Sequence, residues 1–136
     1  AKHSTIRDVT FLPRPVQQPR VPIWVAAVWP NKKPLRRAAR WDCALPLGPQ
    51  EGVDLTPDDI RQIAAYIAEH RTSDTPLDIL TAGRSTGDPD KDRDHLAPLA
   101  EAGATWWCEG FWVEDDIDSV RKRIAQGPPA GPTPRP

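Results

Sequence analysis

Ile23-Trp24-Val25-Ala26-Ala27-Val28-Trp29, closed by Pro30 and Asn31, is the stretch whose reading decides the fold. Its hydrophobicity is continuous rather than alternating, over the length of one strand. That pattern belongs to a strand buried on both faces, as in a parallel sheet. The residues before it carry Pro13, Pro15, Pro19 and Pro22. Prolines at this density forbid a helix, so residues 1–21 are expected to form an extended, Pro-rich leading segment.

Downstream, the pattern changes period. Pro34 suits a first helical turn, Leu35, Ala38 and Ala39 share one face, and Arg36, Arg37 and Arg40 point to solvent. Trp41-Asp42-Cys43-Ala44-Leu45-Pro46-Leu47 reads as a second strand, ended by Gly48-Pro49. The clearest helix follows. Thr56 is its N-cap, Pro57 fills the first helical position, Asp58 and Asp59 meet the positive end of the dipole, and Ile60, Ile63, Ala64 and Ile67 form the apolar stripe. A third strand is predicted over 76–82, a helix over 90–102 with Leu96, Leu99 and Ala100 on one side, and a fourth strand over 104–108. The last helix is predicted over 114–126, with Ile117, Val120 and Ile124 facing inward and Gly127-Pro128 ending it. Residues 128–136 form a Pro-rich tail expected to be flexible.

The order is therefore strand then helix, four times, within 22–127. Strand starts near 22, 41, 77 and 104 lie 19, 36 and 27 residues apart, enough for a helical crossover each time. Such alternation builds an α/β parallel sheet, either doubly wound or part of a barrel.

Composition narrows the class. In 136 residues, 38% hydrophobic and 27% charged, there is room for one domain that buries roughly 68% of its unfolded surface. The 18 Lys and Arg balance 19 Asp and Glu, so there is no overall basic field for a phosphate backbone, and nucleic acid is not an expected partner. No apolar run approaches the 18 or so residues of a membrane span, and residues 1–11 lack the apolar centre of a signal peptide, which predicts a cytoplasmic protein without membrane contact. Cys43 and Cys108 lie in apolar strand contexts without CxxC spacing and are expected as buried thiols. His3, His70 and His95 show no ligand spacing, so no metal site is nominated. The P-loop and GxGxxG motifs are absent.

Four phrases, in this order, resemble the C-terminal half of the bacterial-luciferase-like flavin monooxygenase family: FLPRPVQQPRVPIWVAA (11–27), PNKKPLRRAARWD (30–42), LTPDDI (55–60) and LAEAGATWW (99–107). In that family a PxPVQxP phrase precedes the fifth strand, the strand ends in small residues, and a helix rich in Ala and Arg leads to a sixth strand entered through Asp. The likeness spans nearly all of residues 8 to 129. It implies a (β/α)₈ TIM-barrel type fold, of which this chain is a C-terminal half-barrel of four parallel strand–helix units, five to eight. It also implies an FMN or deazaflavin cofactor, a small organic substrate, and oxidoreductase or monooxygenase chemistry at the barrel mouth. The groups nearest the reacting ring belong to units one to four, so no catalytic residue is nominated and activity of the 136-residue chain alone is not expected.

Active sites of barrels lie at the C-terminal ends of the strands. At the first strand tip, Ala26 and Ala27 are small enough for a ligand to approach the backbone, and the resemblance places the cofactor phosphate there, beside Val28, Trp29, Pro30 and Asn31, with Lys32 and Lys33 following. Arg84 and Ser85, with Thr86, sit in a glycine-bounded loop after the third strand, where an arginine fork and hydroxyls suit an anion; an ordinary polar turn is the competing reading. Trp106, Trp107 and Trp112 surround the fourth tip, where one of the two adjacent tryptophans must face the helix layer. Glu109 is expected as a surface carboxylate, and as an acid or base only if buried beside a ligand. Four parallel strands alone leave two free edges and an apolar inner face. A homo-oligomer or an N-terminal half-barrel is therefore the expected partner, and the alternative function is a non-catalytic half-barrel serving as an oligomerising or interaction module.

Overall fold

The computed structural model describes residues 7–10, 12–13, 15–50 and 52–131, so His3 and the tail residues 132–136 lie outside the described residues. The elements are β1 (Trp24–Val28), α1 (Lys32–Ala38), β2 (Cys43–Leu47), α2 (Pro57–His70), β3 (Asp78–Gly83), α3 (Pro89–Glu101), β4 (Trp106–Glu109) and α4 (Ile117–Ala125). Local chemistry explains their limits. Thr56 and Asp59 form a reciprocal capping box on α2, with Pro57 in its first turn. Asp88 and Asp116 cap α3 and α4 with their carboxylates. Before β1, Asp42 accepts from Ile23 N at 2.6 Å and pairs with Arg20 at 2.7 Å, which anchors the end of the leading segment to the start of β2.

All neighbouring strands are parallel and the sheet order is β1-β2-β3-β4. A sequential order has no reversal point, which excludes the doubly wound alternative. In the register Trp24↔Cys43 and Leu80↔Trp106, side chains of paired residues share a face. Val25, Ala27, Ala44 and Ile79 face the helices and pack with Leu35 and Ala38 of α1, Ile60, Ile63 and Ile67 of α2, and Leu96 and Leu99 of α3. The opposite face carries Trp24, Ala26, Val28, Leu47 and Trp106, and no helix among the described residues covers it: Trp24 is 47% exposed and Trp106 51%. These two tryptophans stand on opposite edge strands, yet their rings meet at 5.8 Å. Three strand spacings in a flat sheet would hold them roughly 14 Å apart at the backbone, so two long side chains reach each other over a concave surface.

Three expectations change. The last helix begins at Ile117 rather than 114, because Asp116 takes the cap, and it buries none of its residues. Ile117 and Ile124 do not face inward; they are 64% and 63% exposed, since no strand lies beyond β4 for the stripe to cover. Cys43 is buried as expected, but Cys108 is exposed because it sits on the uncovered face of an edge strand. Among the described residues no helix is long and apolar enough to cross a membrane.

Ile63 is fully buried at the α2–sheet contact. Ile63→Ala should cost about 2–5 kcal/mol, measured by urea unfolding; a loss below about 1 kcal/mol would place the core elsewhere. Burial pushes the Cys43 thiol up to about 11, so almost none of it is thiolate at pH 8. A disulfide reagent should modify Cys108 at least about a hundredfold faster than Cys43, and equal rates would contradict the burial of Cys43.

Candidate functional site

The C-terminal tips of the strands enclose a cavity of about 440 Å³, walled by Val28, Leu47, Val53, His95, Trp107 and Trp112 among others. One proline opens it. Asp78 N donates to Asp42 O at 2.9 Å, which sets the alternation in which even-numbered residues of β2 bond to β3. The next donor along β2 after Ala44 is residue 46, and Pro46 has no N–H to give the Leu80 carbonyl. Accordingly, β2–β3 pairing stops at Ala44↔Ile79, whereas β1–β2 pairing runs on to Val28↔Leu47. The tips of β2 and β3 separate, and the loop after β2 closes over the gap. At the rim, Gly83 is required by the Trp107 ring, which would lie 2.6 Å from a Cβ added there.

Trp107 faces the helix layer, where His95 meets its ring edge-on at 5.6 Å, while Trp106 turns to the concave face. The indole N–H of Trp107 donates to Glu109 Oε2 at 3.0 Å. Glu109 Oε1 accepts from Ser85 N and from Ser85 Oγ, both at 2.9 Å, and Arg123 Nε lies 3.5 Å away. Ser85 Oγ in turn accepts from Arg123 Nε at 2.7 Å. Two further carboxylates complete the loop: Asp115 takes both amino groups of Arg84, at 2.9 and 2.6 Å, and buried Asp92 accepts from Thr86 N, Thr86 Oγ1 and Gly87 N. Glu109 is thus neither a solvated surface carboxylate nor a group open to a ligand; its side chain is 17% exposed and its oxygens are spoken for.

The nominated residues are dispersed. Val28 lines the cavity, but Ala26 opens onto the concave face and Ala27 is buried beneath α1, so ligand approach at β1 is limited to the Ala26 side. Trp29 is buried, donating from Nε1 to Asp59 at 2.9 Å, with the Lys32 ammonium 4.3 Å above its ring. Pro30 and Asn31 are exposed on the β1–α1 connection, and the Asn31 side chain makes no capping bond. Arg84 and Ser85 stand outside the cavity, their donors turned to Asp115 and Glu109. Sequence reading missed the wall formed by Leu47, Val53 and His95; the only signal available for it was Pro46 inside an apolar run. Among the described residues no cluster of His, Cys, Asp and Glu could hold a metal.

Burial by itself would raise the Glu109 carboxyl, but the bonds from Trp107 and Ser85 and the charge of Arg123 outweigh it and hold it below the ordinary 4.5. Asp92 is likewise held below 3.8 against its burial, by Thr86, Gly87 and Arg123. A depressed carboxylate contributes stability that is present above its ordinary value and lost as pH falls through the depressed one. Thermal stability should therefore drop below about pH 4.5. Glu109→Gln should lower stability by about 1–3 kcal/mol at pH 7 and flatten that acid slope. An unchanged slope in a folded variant would show that Glu109 does not carry it.

Compared with known protein families, curated proteins and solved structures, the chain matches none.

Proposed function

We propose that this chain is a half-barrel of the luciferase-like type, a fragment of a flavin- or deazaflavin-dependent oxidoreductase or monooxygenase, and that it forms one wall of the cofactor site. The observation that carries the reading is the sequential parallel sheet whose tips surround a mainly apolar cavity. Sequential strand–helix units are the repeat of a (β/α)₈ barrel, and barrel sites lie at the strand tips. The residues present fit such a cofactor in part. Trp112, Val28 and Leu47 offer apolar surface for a planar ring, while Asn31 and Lys33 carry donors that no carboxylate occupies among the described residues. Arg84 and Ser85 could serve a phosphate only by giving up Asp115 and Glu109. When bound, a flavin supplies the hydride or oxygen chemistry; the protein positions it and excludes water. The free thiols of Cys43 and Cys108 accord with a cytoplasmic setting.

The uncovered concave face, with Trp24, Val28, Leu47 and Trp106 all at least 41% exposed, favours the second reading of an assembly module. Titration with flavin mononucleotide, followed by flavin and tryptophan fluorescence, separates the two. Saturable binding is expected, weakened at least about tenfold by Leu47→Trp, which fills the cavity from an exposed position. No response at millimolar flavin would sink the cofactor reading and leave the module.

A further inference from the structure

Three surfaces beside one strand lack a partner. β4 ends the sheet, so one side of its backbone is unpaired. Trp106 and Cys108 lie exposed on its concave side. On its helix side, α4 presents Ile117 and Ile124 with nothing beneath them, held to the rest of the chain by the Arg123 contacts with Ser85, Glu109 and Gly127. In this sheet α1 seals Val25 and Ala27 of β1, and α2 and α3 complete the same layer. The helix after β4 has the stripe for the same task but no next strand among the described residues.

β1 shows the complementary deficiency. Cys43 N donating to Ile23 O and Trp29 N donating to Leu47 O place the odd-numbered residues of β1 towards β2. The N–H of Ala26 therefore points to the free edge. Charge distinguishes the two flanks. Lys33, Arg36 and Arg37 on α1 and Arg40 just beyond it have no ion-pair partner among the described residues, and Glu114, Asp116 and Asp118 lie at or just before the start of α4. A basic flank beside β1 and an acidic helix start beside β4 suit each other, and both belong to this chain.

We infer that the partner is a second copy: β4 of one protomer pairs in parallel with β1 of the other, twice over about a two-fold axis along the strands, so that two curled sheets close one eight-stranded barrel. The operation is closed, because each copy offers one edge of each kind and none remains. It brings Trp24 and Trp106 inside and slides each α4 stripe over the partner's β1. Lys33 and its neighbours then face the acidic start of α4. The inference rests on the half-barrel geometry of the proposed function and not on the flavin reading.

Light scattering of the purified chain should give about 30 kDa, twice the 15.1 kDa protomer, with tryptophan emission shifting to the blue as concentration rises through the dimerisation range. Ala26→Pro removes an N–H that the protomer does not use and should yield a folded monomer by circular dichroism. Ile124→Lys, on the exposed stripe, should weaken the dimer at least about tenfold without touching the protomer core, and covers the case in which the proline variant fails to fold. A wild-type monomer at high micromolar concentration overturns the inference, as does a larger assembly or a dimer indifferent to Ile124→Lys. Monomers that still bind flavin would overturn the pair alone; dimers that bind none would overturn the flavin reading alone.

Discussion

A parallel sheet with continuous apolar strands must be covered on both faces, because every strand offers the same hydrophobicity to each side. Here one face is sealed by Leu35, Ile60, Ile63 and Leu99. The other is a trough in which two edge tryptophans lean together at 5.8 Å while each stays about half exposed. The curl, the two free edges and the uncovered stripe of α4 all express that one imbalance. Among the described residues the helices form one layer, on one face of the sheet only.

Pro46 acts on the same sheet from within. By withholding one N–H from Leu80 it ends the β2–β3 ladder early and opens a cavity at the strand tips. The flanking loop is then organised by acids rather than by a ligand. Asp92 and Glu109 take backbone and side-chain donors of residues 85–87, and Asp115 takes the Arg84 guanidinium. A glycine-bounded Arg-Ser-Thr loop suggests an anion cradle from its composition. In the folded chain its anions are its own carboxylates, contributed from α3, from β4 and from the turn before α4.

The elements themselves were legible before any coordinates. Capping residues, continuous apolar runs and helical stripes located all eight elements, with the starts of β2, β3, β4 and α4 falling two or three residues later than read. The candidate site was legible only in outline: barrel logic pointed to the strand tips, and Val28 does line the cavity. Which of Ala26 and Ala27 would meet a ligand depends on strand parity, and the parity was not decidable from a run that is apolar on both sides.

Periodicity and caps are local properties of neighbouring residues, so the sequence by itself determined the alternation of strands and helices and the parallel character of the sheet. Only the tertiary structure decided the sequential strand order, the early break at Pro46, the capture of Arg84, Ser85 and Thr86 by three carboxylates, and the exposure of Ile117 and Ile124. Each of these depends on partners 6 to 35 residues away along the chain or on where the sheet ends, and no reading of adjacent residues contains that information.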